Sequence, residues 1–102
     1  MKFLLLFTIS LAAVAADTDG THWNPQSAAS YLDGRAAWWI TWKNSARDHD
    51  TFCISCHTAL PYAIGRPALR TALGEKGASK GETQLVDNVT KRVRMWADVE
   101  PF

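Results

Sequence analysis

Apolar and polar positions divide the chain into contrasting stretches. Phe3 to Val14 is an apolar run broken only by Thr8 and Ser10. From Pro25 onward apolar residues recur at helical intervals: Ala28, Leu32, Ala36, Trp39 and Trp42, with Tyr31 and Trp38 widening the stripe. That spacing predicts a helix from about Pro25 to Lys43. Asn24 and Pro25 supply its start, because asparagine accepts hydrogen bonds from unpaired amides and proline fits the first helical position. Pro67 opens a predicted short helix that runs to Leu73 and is closed by Gly74. Ser79 and Glu82 have the spacing of a capping box. They lead into a last helix, from about Glu82 to Val99, with Leu85, Val86, Val89, Val93 and Trp96 as its apolar face. The chain shows no long strand and no repeat. The expected fold is all-α, with three main helices and a helical turn around Cys53 to His57.

The leading run has the form of a secretory signal peptide. Lys2 is its basic start, and Ala13-Val14-Ala15 is a small-residue cleavage pattern, with Ala16 nearly equivalent. Spanning a bilayer takes about 20 apolar residues, and this run is shorter. The reading is a signal peptide over 1–16 and one domain over 17–102, without a membrane span after cleavage. Export implies a periplasmic or secreted protein. Removing Lys2 leaves ten basic against ten acidic residues. A nucleic-acid binder would show a basic excess, so that class is set aside. A mature chain of about 86 residues buries a modest core and often depends on a staple or a cofactor.

The candidate cofactor site is Cys53-Ile54-Ser55-Cys56-His57, which contains the only two cysteines of the chain. C-x-x-C-H is the attachment signature of c-type haem. Two intervening residues bring both sulfurs to one side of a tight turn, where each can form a thioether with a haem vinyl group. His57 is then placed to bind the iron as proximal ligand. A redox disulfide would call for a βαβ pattern that the chain lacks, and structural zinc for a second ligand pair. An ordinary short-loop disulfide is the remaining alternative.

On these five residues the chain resembles the c-type cytochromes. The resemblance implies covalent haem c with its iron, single-haem electron transfer, redox partner proteins and no enzymatic turnover. A broader stretch resembles the N-terminal segment of exported bacterial proteins in which a C-x-x-C-H segment precedes a toroid similar to squalene cyclases. It comprises Trp23-Asn24-Pro25, Tyr31-Leu32-Asp33, Arg35, Trp38-Trp39, Arg47-Asp48-His49, Cys53 to Thr58, Leu60 to Ala63 and Arg66 to Arg70. It implies a haem module, sensor or internal electron donor, of a larger exported protein, with this chain truncated at its C-terminus. A haem-free disulfide domain is the third reading.

Candidates for the distal iron ligand are His49, reached through a flexible polar connection over 44–50, and Met95, expected inside the last helix. His22 and an open position are the alternatives. Arg66 and Arg70, four residues apart on one helical face, are candidates for pairing with a haem propionate, or else form a solvated basic face. Trp38, Trp39 and Trp42 are read as core, as a wall of the haem pocket, or as both.

Overall fold

The computed structural model describes residues 23–100. In chain order it comprises α1 (Pro25–Thr41), a 3-10 turn (Lys43–Ser45), an antiparallel hairpin of β1 (Ala46–Arg47) and β2 (Thr51–Phe52), α2 (Ala59–Leu73) and α3 (Lys80–Arg94). The described residues are mostly helical, with three helices, as expected, but the hairpin departs from an all-α fold. The expected signal peptide and His22 lie outside the described residues. No described helix is long and apolar enough to cross a membrane.

The start of α1 follows the sequence signal: the Asn24 side chain accepts the Ser27 N–H at 2.9 Å, and Pro25 occupies the first turn. Ser45 closes the other end. It is fully buried, with its hydroxyl on the Trp39 carbonyl and 2.8 Å from the Trp42 carbonyl. The chain then folds back into the hairpin, pairing Ala46 with Phe52 and Arg47 with Thr51. At its tip the Thr51 N–H donates to the Asp48 carbonyl at 3.2 Å, and His49 and Asp50 both take left-handed φ of 55° and 54°. Two consecutive left-handed residues give the twist that a tight hairpin turn needs. Strands of two residues carry no legible period, so the hairpin is invisible to pattern reading.

The structure corrects the second helix. α2 begins at Ala59 and carries Pro67 in its interior. An interior proline removes a hydrogen bond and costs about 3 kcal/mol. The inner face of α2 offsets that cost, because Ala59, Tyr62, Arg66 and Leu69 are all buried at helical spacing. Gly74 ends the helix in the left-handed conformation, φ 66°.

The capping box of α3 forms as expected. Ser79 Oγ accepts the Glu82 N–H at 3.3 Å, and the Glu82 carboxylate accepts the Ser79 N–H at 2.7 Å. Two features differ from expectation. The helix stops at Arg94, and of its expected apolar face only Leu85 is buried, while Val86, Val89, Val93 and Trp96 are exposed. Directional polar contacts set this rotation. Asn88 receives the Phe52 N–H at 2.8 Å and donates to the Phe52 carbonyl at 2.9 Å, and Arg92 donates to Thr51 Oγ1 at 2.7 Å. Gly81 lies against the Tyr62 ring. The small core consists of Ala36, Ala59, Tyr62 and Leu85, flanked by Leu32, Trp39 and Phe52.

A charged network joins the helices beside this core. Arg66, 3% exposed, gives Nε and Nη2 to the two oxygens of Asp33 on α1, at 2.9 and 3.1 Å. It gives Nη1 and Nη2 to Glu75, after α2, at 2.7 and 3.1 Å. Glu75, followed by Asp33, raises the Arg66 pKa and keeps it charged. Tyr62 Oη donates to Asp33 Oδ1 at 2.8 Å and lies 2.6 Å from Ser79 Oγ. Burial pushes the Tyr62 phenol up to about 12, with Asp33 adding to the rise against the opposing Ser79 contact. For Asp33, burial pushes the carboxyl up, but the bonds from Arg66, Tyr62 and Ser79 outweigh it and hold it below the ordinary 3.8. For Glu82 burial is likewise outweighed, here by the Ser79 amide and Arg70, leaving it below 4.5.

Two predictions follow from this packing. A Cβ at Gly81 would sit 2.5 Å from Tyr62 Oη and 2.9 Å from Cζ. Gly81→Ala is therefore expected to lower the unfolding free energy by about 1–3 kcal/mol in urea titrations, with a smaller loss in a Tyr62→Phe background. The second concerns pH. Carboxylates held below their ordinary values stabilise the fold above those values and lose the contribution as pH falls through the lowered ones. Stability should be level near neutrality and fall below the ordinary 3.8 and 4.5 of Asp33 and Glu82, with a shallower acid limb in Asp33→Asn. Tyr62, raised from 10.0 to about 12, has the opposite sign: its contribution is present below 10 and lost as pH rises through that interval.

Candidate functional site

The C-x-x-C-H segment is the link between β2 and α2, and both ends are fixed. At the β2 end the Cys53 N–H donates to the Ser45 carbonyl at 2.8 Å, and the Cys53 carbonyl accepts Trp39 Nε1–H at 2.7 Å. Within the motif Ser55 Oγ accepts the N–H groups of His57 and Thr58 at 3.1 and 3.0 Å. A serine hydroxyl bonding amides two and three residues on tightens the chain into a turn. The Leu60 N–H reaches the Ser55 carbonyl at 2.9 Å, and the turn runs into α2. The expected helical turn is thus a serine-tightened turn preceding the helix.

Both cysteines are free thiols. Cys53 is half-buried, whereas Cys56 and His57 are exposed. Cys56 Sγ lies 3.1 Å from His57 Nδ1. In that arrangement one ring nitrogen faces the neighbouring sulfur, and Nε2 is the nitrogen left for an external partner. Among the described residues no group of three or more His, Cys, Asp or Glu side chains converges as a metal cage.

The motif stands beside apolar surface that the core does not use. Ile54 within it, and Leu60 and Ile64 on α2, are exposed. Ala63 and Pro67 of α2 share an open groove with Leu85 and Val86 of α3. The row continues along α3 through exposed Val89 and Val93. Eleven large apolar side chains are exposed among the described residues, while only Tyr62, Leu69 and Leu85 of that size are buried, so the fold leaves much of its apolar surface open.

The remaining candidates are placed as follows. Arg66 and Arg70 do not form a solvated basic face. Four of the five donors of Arg66 serve Asp33 and Glu75, and Arg70 Nε serves Glu82 at 3.2 Å. Along α2 they lie roughly 10 and 16 Å from Ala59 at 1.5 Å per residue, and Arg70 also lines the groove between α2 and α3. The connection over 44–50 is a hydrogen-bonded turn and hairpin, not a flexible tether. His49 sits at the hairpin tip with Nδ1 3.0 Å from Asp48 Oδ2. The Glu100 N–H, at 2.9 Å, draws the Asp48 carboxyl below its ordinary value, ahead of His49 and Arg92. Met95 is the C-cap of α3, outside the helix proper. Two residues beyond Val93, it lies roughly 160° around the axis from the exposed valine row.

Of the tryptophans, Trp39 packs on the core, and Trp38 and Trp42 stack outside it with centroids 5.2 Å apart and Arg35 4.5 Å above Trp38. The bond from Trp39 to Cys53 and the turn made by Ser55 were not part of the sequence reading. Ser55 carried a signal, a short hydroxyl between the cysteines. Trp39, fourteen residues from its partner, carried none.

Family models, curated proteins and solved structures were compared with the chain, and none matches.

The difference in exposure leads to a third prediction. In the reduced mature chain Cys56 should be alkylated by iodoacetamide faster than Cys53, as read by peptide mass spectrometry over a time course. Equal rates would contradict the half-buried placement of Cys53.

Proposed function

We propose that the chain is a single-haem c-type electron-transfer protein, with Cys53 and Cys56 holding the haem and His57 its iron. The observation that carries this reading is the pairing of two free thiols and an adjacent exposed imidazole with unused apolar surface. Each thiol would add across a vinyl group, its sulfur bonding one carbon and its hydrogen passing to the other, so attachment needs no oxidant. A haem iron held there supplies one-electron chemistry between its ferrous and ferric states.

The residues of the chain do the rest. Ser55 tightens the turn that carries Cys56 and His57 into α2. His57 offers Nε2 while Nδ1 stays on the Cys56 side. Ile54, Leu60 and Ile64 flank the tether, Leu85 and Val86 line the α3 side of the α2–α3 groove, and Val89 and Val93 are exposed further along α3. Burying a valine, leucine or isoleucine contributes about 1.5–3 kcal/mol, so a large flat apolar group settled against even three of these side chains would stabilise a fold with so small a core. The partners are redox proteins, and the setting is periplasmic or secreted.

One observation favours the second reading, a haem module of a larger exported protein. Trp23 and Tyr31 flank another open apolar groove, between α1 and α2, of about 580 Å³ and on different side chains from the haem groove. A further domain could cover it.

The test is an absorption spectrum of the protein made in a host with c-type haem maturation machinery. The expected result is a c-type spectrum that His57→Ala converts to a weakly ligated, ligand-accessible form, while His49→Ala and Met95→Ala leave it unchanged. A spectrum that turns high-spin in His49→Ala, or loses a methionine–iron band in Met95→Ala, would contradict the placement of those two residues. A colourless protein would overturn the haem reading.

A further inference from the structure

We propose that Trp39 is a positioning residue for the covalent cofactor: by holding the Cys53 carbonyl, its indole N–H fixes where the first thioether forms. The inference rests on the haem reading and deepens it. Both backbone polar groups of Cys53 are held from outside the motif, the N–H by Ser45 at 2.8 Å and the carbonyl by Trp39 at 2.7 Å. Cys56 is different: it is exposed, and its thiol lies against the neighbouring His57. The attachment segment therefore has a fixed half and an adaptable half.

The indole is itself immobilised. Trp39 packs against the core cluster that includes Ala36, Tyr62 and Leu85, and the rings of Trp38 and Trp42 lean on it at 6.0 and 5.5 Å. A carbonyl bonded to so confined a donor fixes the plane of the Cys53–Ile54 peptide. With the Cys53 N–H also held, the Cα–Cβ direction of Cys53 is set by α1 and the 3-10 turn, which limits its sulfur to the rotamers about that bond. Cys56 and His57 would then adjust around that point as the second thioether closes. Trp39 also ties the tether to the helix that Arg66 locks to α2.

The test uses the full mature chain carrying Trp39→Phe, with Trp38→Phe as a control that keeps an aromatic ring beside Trp39 and leaves the Trp39–Cys53 bond in place. In the haem-free reduced protein, iodoacetamide labelling of Cys53 should speed up by about 2- to 10-fold in Trp39→Phe, the range of one neutral hydrogen bond, while Cys56 keeps its rate. Trp38→Phe should change neither. In protein from a maturation-competent host, Trp39→Phe should contain chains whose haem is held through Cys56 alone, read as a red-shifted pyridine haemochrome band. If the variant does not fold, a tryptophan analogue with sulfur in place of the ring N–H, placed at position 39 by nonsense suppression, removes the bond and keeps the ring, and the same outcomes apply. Haem uptake with unchanged Cys53 labelling and complete double attachment overturns the positioning role alone. A wild-type chain that takes no haem overturns the cofactor reading, and this proposal with it, whatever the labelling shows.

Discussion

Arg66 is a cation at the meeting point of the helices, and its burial is possible only because two carboxylates meet it there. A guanidinium moved out of water is costly, and removing one partner of such a pair typically costs about 3–5 kcal/mol. Asp33 comes from α1 and Glu75 from the chain after α2, so the requirement to neutralise Arg66 fixes α2 against α1 in rotation and in height. Tyr62, one turn earlier, shares Asp33 and brings in Ser79, the cap of α3. A single buried charge thereby sets the arrangement of three helices. It also determines which face of α2 is inside, and the placement of the motif at the N-terminus of α2 follows from that.

The same polar bonds explain why the fold leaves apolar surface open. Apolar burial alone would turn the valine row of α3 inward. Asn88 on the Phe52 backbone, Arg92 on Thr51 and the close approach of Gly81 to Tyr62 turn it outward. Hydrogen bonds are directional and hydrophobic contact is not, so a few bonds can select the rotation, provided the exposed row gains a cover in the working protein. A covalently tethered haem is a cover of suitable chemistry. It is flat and largely apolar, and it would be attached at the one segment that joins the hairpin to α2.

What could be read from the sequence follows the range of the interactions. Asn24 with Pro25 and Ser79 with Glu82 are contacts within one turn, and both formed as their spacing predicts. The two cysteines and His57 are likewise a local pattern; Cys56 and His57 lie on the turn before α2, and Cys53 in the chain leading into it. Pro67 signals a helix start in the sequence, yet α2 begins at Ala59, because the stripe Ala59, Tyr62, Arg66, Leu69 outweighs the local cost of an interior proline. The sequence offers the arginines as propionate partners or a solvated basic face and not as a buried network, because their partners Asp33, Glu75 and Glu82 lie 33, 9 and 12 residues away. The rotation of α3 depends on Asn88 finding Phe52 across 36 residues, which no periodicity encodes. The hairpin was too short to show a pattern.

The central claim is that Cys53 and Cys56 carry one covalent haem. Denaturing mass spectrometry of the mature protein from a maturation-competent host tests it most directly. The prediction is a chain heavier than its sequence by the mass of one haem, reverting to the bare polypeptide mass when both cysteines are changed to serine. A wild-type chain at its unmodified mass would contradict it.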